Sequence, residues 1–211
     1  MFRLDIQKQT LNEEFLTRYT VAKITCDCDF SLTKIVKQKL KVINQTDSDG
    51  NAYISVPSAL FSTIQSAIDC APTGSYILVS PGIYSENLEF IGEKSLKLVS
   101  NFISSNDPSD IQNTIINGAS SQDNERIIYF VDDAYTTSYN VHIEGFTIED
   151  GTNGGVSIEN YKNKIFKNCS IKNNINNYGL RVKGNWNEKS FIQIENISFI
   201  ENNGGLWLDG G

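Results

Sequence analysis

Val141-His142-Ile143-Glu144-Gly145-Phe146-Thr147-Ile148-Glu149 returns twice in altered form. The copies are Lys164-Ile165-Phe166-Lys167-Asn168-Cys169-Ser170-Ile171-Lys172 and Ile192-Gln193-Ile194-Glu195-Asn196-Ile197-Ser198-Phe199-Ile200. Each copy is followed by a polar loop and a second, shorter motif. These motifs are Gly155-Val156-Ser157-Ile158-Glu159, Gly179-Leu180-Arg181-Val182-Lys183 and Gly205-Leu206-Trp207-Leu208-Asp209, their glycines 24 and then 26 residues apart. A period of this size marks a stacked-repeat architecture and governs the reading of everything around it.

Inside each repeat the apolar residues alternate with polar ones, the period of a strand that buries one face. Of 18 inward slots, 17 are apolar and Lys164 is the exception; of 18 outward slots, only Ile165, Ile200 and Trp207 are apolar. The whole chain is 39% hydrophobic, so composition does not produce that partition. The alternation slips once per repeat: Ile143 and Phe146 are three apart, as are Phe166 and Cys169, and Ile194 and Ile197. A two-residue bend restores the inward direction, and its second residue is Gly145, Asn168 or Asn196, types that tolerate left-handed backbone. Each repeat therefore reads as strand, tight bend, strand, loop, strand, loop. Stacked copies would form parallel sheets with strands about 4.8 Å apart.

Upstream, Ser62-Thr63-Ile64-Gln65-Ser66-Ala67-Ile68-Asp69-Cys70-Ala71-Pro72 precedes Ile77-Leu78-Val79-Ser80-Pro81-Gly82-Ile83-Tyr84-Ser85-Glu86-Asn87, and Thr114-Ile115-Ile116-Asn117-Gly118 continues the pattern. In these motifs the stretch from Phe61 to Gly211 resembles the right-handed parallel β-helix proteins of the pectin-lyase-like superfamily. The resemblance implies an all-β solenoid of three-strand coils with a short N-terminal capping helix. The physics of the segment agrees: Phe61, Ile64, Ile68 and Ala71 share one helical face, and Ser62 with Gln65 has capping-box spacing. Such a helix would cover the apolar end of the coil stack.

The expected organisation is an N-terminal β-rich extension, or the end of a preceding domain, over residues 1–55, and the parallel β-helix over residues 56–211. Tyr19–Ile24 and Ile35–Ile43 are β-prone, with a turn near Asp47-Ser48-Asp49-Gly50. Because the last strand motif ends beside Gly210-Gly211 without a cap, further coils are expected after it. The start, Met1-Phe2-Arg3-Leu4-Asp5-Ile6-Gln7-Lys8, lacks the apolar run of a secretory signal. An excerpt of a longer exported or cell-surface protein is therefore the expected context.

Formal net charge is −7. That balance argues against nucleic acid and anionic membrane as partners. No run reaches the roughly 18 apolar residues of a membrane-spanning helix. The four cysteines, Cys26, Cys28, Cys70 and Cys169, form no Cys-x-x-Cys pair and read as buried free thiols.

The resemblance directs attention to the outer face of the glycine-led strands, where that superfamily usually holds sugars. Register puts Ser157, Arg181 and Trp207 in one outward column and Glu159, Lys183 and Asp209 in the next. An outward Trp beside an Arg suits a sugar ring stacked on the indole, with a carboxylate held by the guanidinium. The acid–base–acid column reads first as an ion-pair ladder, each pair stabilising by about 0.2–1 kcal/mol.

The catalytic alternatives are weighed on the same columns. A polysaccharide lyase acting on uronate-containing glycans needs a cation and a base, for which Arg181 and Lys183 are the available cations. Glu159 and Asp209, two coils apart at about 9.6 Å, loosely match an inverting carboxylate pair. Calcium lacks an Asp cluster to hold it, although Glu149-Asp150 and Asp132-Asp133 are acidic pairs. Pectin methylesterases carry a Gln before the glycine-led strand and a Gln-Asp pair in the loop after the equivalent of Cys169-Ser170-Ile171. Here that loop reads Lys172-Asn173-Asn174-Ile175-Asn176-Asn177-Tyr178, so their mechanism does not carry over. His142 is expected outward with no Ser or Cys partner, which leaves no triad. The leading expectation is a β-helix region that contacts polysaccharide without a complete catalytic centre in this segment, with a lyase or a structural stalk as alternatives.

Overall fold

The computed structural model describes residues 4–5, 23–24, 53–91, 94–118, 126–131, 139–159, 163–183 and 191–209. The described residues are predominantly β, and among them every sheet but one small pair is parallel. The exception joins β1 (Leu4–Asp5) to β2 (Lys23–Ile24) antiparallel. β2 thus falls at the end of the β-prone Tyr19–Ile24 stretch; Ile35–Ile43 and the Asp47–Gly50 turn lie outside the described residues.

From residue 75 the chain visits three strand ladders in a fixed order, after an initial strand at residues 54–56 that joins the first of them. The first ladder holds β3 (Ile54–Val56), β4 (Ser75–Val79), β7 (Leu96–Ser100), β10 (Val141–Glu144) and the leading halves of β13 (Lys164–Lys172) and β15 (Ile192–Ile200). The second holds β5 (Gly82–Tyr84), β8 (Thr114–Asn117), β11 (Thr147–Glu149) and the trailing halves of β13 and β15. β13 and β15 run through the bend unbroken and join these two ladders into one nine-stranded sheet. The third ladder is a separate five-stranded sheet of β6 (Leu88–Ile91), β9 (Ile128–Val131), β12 (Val156–Glu159), β14 (Tyr178–Lys183) and β16 (Gly204–Asp209).

The pairing register is the one that the alternation predicts. Val141 faces Lys164, which faces Ile192; Val156 faces Leu180, which faces Leu206. Val141, Ile143, Phe146, Ile148, Val156, Ile158, Phe166, Cys169, Ile171, Leu180 and Val182 are all buried in one core. In the last pass Ile192, Ile194, Ile197 and Phe199 pack against that core, whereas Leu206 and Leu208 are exposed. Like side chains stack from pass to pass: Phe90 lies on Phe130 with ring centroids 4.8 Å apart, and Phe130 meets Phe166 edge-on at 6.0 Å.

The bends also follow the sequence. Gly145, Asn168 and Asn196 hold φ of +88°, +51° and +54°. A second left-handed row, Asp150, Asn173 and Glu201, closes the strands of the second ladder at φ of +62°, +56° and +52°.

Helix α1 (Ile64–Cys70) forms where its apolar face requires it. Phe61, Ile64, Ala67, Ile68 and Ala71 are buried in the core. Its N-cap is Thr63 rather than Ser62: the Thr63 hydroxyl accepts from the Ser66 N–H at 3.1 Å. The Glu86 carboxylate takes the Ile64 and Gln65 N–H groups at 2.8 and 2.9 Å, satisfying two orphan donors of the helix start. Gln65 in turn docks on β6 through both backbone groups of Glu89.

Three features depart from the alternation. Two short helices, α2 (Phe102–Ser105) and α3 (Pro108–Asn113), interrupt the link from β7 to β8. The second of them covers outward Thr147, whose hydroxyl donates to the Ile111 carbonyl at 2.8 Å. Lys164, the one polar inward slot, does point inward and is buried. Its ammonium donates to the Tyr139 carbonyl at 3.1 Å and lies 4.2 Å from the Tyr139 ring centroid. The uniform free-thiol reading of the cysteines is corrected: Cys169 is a buried free thiol, but Cys70 is disulfide-bonded. Sequence spacing does not reveal a pairing made by tertiary approach.

Candidate functional site

The outward columns assemble on the third sheet as the alternation places them. One row runs Glu89, Tyr129, Ser157, Arg181, Trp207 across five neighbouring strands. The next contains Glu159, Lys183 and Asp209 on three. All six sequence-selected residues therefore share one sheet face.

Their partnerships are not those of a straight ladder. Glu159 turns diagonally to Arg181, whose Nη1 donates to Oε1 at 2.7 Å. Lys183, the neighbour in register, is exposed. Arg181 offers a planar fork of donors where Lys183 offers a single point charge. Its guanidinium carbon also lies 4.9 Å from the Trp207 ring centroid, so one cation serves both acid and indole. Both partners of the pair are partly buried, with side-chain exposures of 23% for Arg181 and 29% for Glu159.

Tyr178 extends this cluster. Its ring stacks on Trp207 with centroids 5.9 Å apart and planes 24° from parallel. Gly204 is the reason it can lie there: Tyr178 and Gly204 are register partners, and a Cβ on Gly204 would come within 2.5 Å of the tyrosine ring. An indole, a phenol ring and a guanidinium thus form a continuous shelf, partly exposed to solvent.

Ser157 is outward in register yet fully buried, and its hydroxyl oxygen has no hydrogen-bond partner. Arg126, just before β9, has a buried Nε that is likewise unpartnered. Burial first, and then the positive charge of Arg181, hold the Arg126 pKa below the usual guanidinium value; Glu159 and Tyr129 act in the opposite sense. The guanidinium of Arg126 therefore belongs electrostatically to this cluster. Among the described residues it makes no ion pair.

The sequence reading missed Arg126, Tyr129 and Tyr178. Tyr129 sits in the same column as Ser157, and its signal was available in the register. Arg126 and Tyr178 precede the clean alternation of their strands, so periodicity says nothing of where they project.

Other candidate residues lie elsewhere. His142 is outward on the first ladder, with Nε2 2.8 Å from Glu144 Oε2 in a contact poorly aligned for a hydrogen bond. Glu149 pairs with Lys172 at 2.9 Å, and Asp150 accepts from the Asn117 amide at 2.8 Å. Asp132-Asp133 lies outside the described residues. Among those described, no group of three His, Cys, Asp or Glu side chains converges in a way that could hold a metal ion.

Comparison with family models, curated proteins and solved structures found no match.

Proposed function

We propose that residues 56–211 form a right-handed parallel β-helix of the pectin-lyase-like kind that contacts polysaccharide through the outer face of its third sheet. The observation that carries this reading is the Tyr178–Trp207–Arg181 shelf, with rings stacked at 5.9 Å and a guanidinium 4.9 Å from the indole. A pyranose ring has an apolar face of C–H groups that such a shelf accepts, and hydroxyls that Arg181, Glu159, Lys183 and Asp209 can hydrogen-bond. The fixed order of three parallel ladders supports the β-helix, as do the motifs shared with that superfamily.

Within this segment the shelf binds rather than reacts. Glu159 is committed to Arg181, a pairing that draws a candidate acid and a candidate lyase cation out of catalytic roles. The proposed context is a secreted or cell-surface protein, with residues 1–55 an N-terminal extension or the end of a preceding domain. The Cys70 disulfide supports an oxidising compartment.

The test is a glycan array run beside a depolymerisation assay, on the natural full-length protein, with Trp207→Ala and Arg181→Ala. The expected result is binding without turnover that falls at least tenfold in Trp207→Ala. Unsaturated products lost in Arg181→Ala would replace this reading with a lyase. Silence in both assays would leave a structural stalk.

A further inference from the structure

Asn196-Ile197-Ser198 crosses the bend of β15 and has the form Asn-x-Ser with x other than Pro. That triplet marks an asparagine whose amide nitrogen can take a sugar in the secretory pathway. It recurs, with Ser or Thr, at Asn168-Cys169-Ser170 one pass earlier and at Asn44-Gln45-Thr46, outside the described residues. A motif this short arises often by chance, so geometry has to choose between Asn168 and Asn196.

Asn196 and Ser198 are both exposed, while Ile197 between them packs against the core. A left-handed φ of +54° at Asn196 carries the chain round the corner between the first and second ladders. The side-chain nitrogen has two hydrogens, and one of them donates to Asn168 Oδ1 at 3.0 Å. The other can give way to a bond to sugar while the bend keeps its contact. Asn168 is placed differently. It is half-buried, its Nδ2 donates to the buried Glu144 carboxylate at 2.6 Å, and its Oδ1 is taken by Asn196. A glycan there would have to displace the Asn196 side chain that lies across it.

We infer that Asn196 carries an N-linked glycan in the natural protein and that Asn168 does not. The donor is an oligosaccharide held on a lipid diphosphate. Asn196 Nδ2 bonds to the anomeric carbon of its first sugar. The bond from that carbon to the diphosphate oxygen breaks, its electron pair leaves on the diphosphate, and the amide proton passes to a base of the transferase. The inference rests on the exported context proposed above, which the Cys70 disulfide supports. It does not rest on the aromatic shelf: Asn196 stands at the corner of the first two ladders, whereas Tyr178, Arg181 and Trp207 belong to the third sheet. A glycan at Asn196 therefore starts outside the sheet that carries the shelf.

The experiment takes the full-length protein from its natural source and treats it with the amidase that releases N-glycans, in heavy-oxygen water, before peptide mass spectrometry. Conversion of Asn196 to heavy-oxygen aspartate, with Asn168 unchanged, is the expected result. When the chain is secreted from eukaryotic cells, Asn196→Gln and Ser198→Ala should each lose one mobility step on a denaturing gel. Ser198→Thr and Asn168→Gln should keep it, and circular dichroism confirms the fold of each variant. An unmodified Asn196 in protein whose Cys70 is oxidised overturns the inference, as does a glycan on Asn168 alone. An unmodified Asn196 beside a reduced Cys70 overturns the exported context with it. The polysaccharide reading is separated by protein made in bacteria without glycan: if its binding to the array still falls in Trp207→Ala, that reading stands whatever Asn196 carries.

Discussion

Asn174 and Asn202 are locked together across neighbouring passes: the Asn174 side-chain amide and backbone N–H both donate to Asn202 Oδ1, at 2.8 and 3.1 Å. Asn174 is fully buried, and its own Oδ1 accepts from the Gly151 N–H at 2.8 Å. Asn202 donates onward to the Ile171 carbonyl at 2.7 Å. The ladder thus satisfies backbone groups that turn away from the sheets. Asn174→Ala should destabilise by about 2–4 kcal/mol, and Asn202→Ala, half-exposed, by less. Denaturant midpoints measure both; equal costs would contradict the ladder.

Gly145 and Gly74 share a left-handed backbone, φ of +88° and +84°, but not an environment. A Cβ on Gly145 would overlap the Ser100 hydroxyl and come within 3.0 Å of Phe102, whereas one on Gly74 meets nothing within 4 Å. Gly74→Ala should cost about 1 kcal/mol of backbone strain, and Gly145→Ala several times that. Thermal melts of the two variants side by side make the comparison.

Glu201 occupies the left-handed position that Asn173 and Asp150 fill in earlier passes. A long side chain tolerates this backbone less well than Asn does. Glu201→Asn should raise stability by about 0.5–1 kcal/mol, read as an upward shift in melting temperature.

Contact with the His142 imidazole, more than the Asn168 amide, holds the Glu144 carboxyl below the usual range, against the opposing effect of burial. A depressed folded-state pKa means that the unfolded chain takes up the proton first. Stability from Glu144 is therefore present above the unfolded pKa of about 4.3 and lost as pH falls through the folded value. The stability gap between the parent protein and Glu144→Gln should narrow on acidification from pH 6 to pH 3.

Burial pushes the Cys169 thiol up to about 12. Here the unfolded chain releases its proton first, so stability is intact below the unfolded pKa of about 8.5 and declines as pH rises through the folded value. Cys169→Ala should flatten the alkaline limb of the stability profile. Native-state alkylation at pH 8 should leave Cys169 unmodified, and rapid labelling would place the thiol outside the core.

Strand register was legible because a parallel repeat writes the same instruction in every pass. The inward slots, the slip at Gly145, Asn168 and Asn196, and the shared face of Arg181 and Trp207 all follow from it. What was not legible comes from residues outside the period. Ser157 looked open because alternation gives direction but not cover. Arg126 projects from before its strand, and the α2–α3 insertion over Thr147 breaks the repeat altogether. Lys164 was correctly placed inward; alternation cannot say that the Tyr139 ring and carbonyl would receive its ammonium.

The register has a modular corollary. Val141 lies between Leu96 and Lys164, Thr147 between Ile115 and Ser170, and Val156 between Ile128 and Leu180. The segment 141–163 is thus one interchangeable rung, bracketed by matching neighbours in all three ladders. Excising it would bring Leu96 opposite Lys164 and Ile128 opposite Leu180, with each wall still continuous. Length in this molecule is adjustable in steps of about 4.8 Å, and any ligand lying along the third sheet would be measured in the same increments.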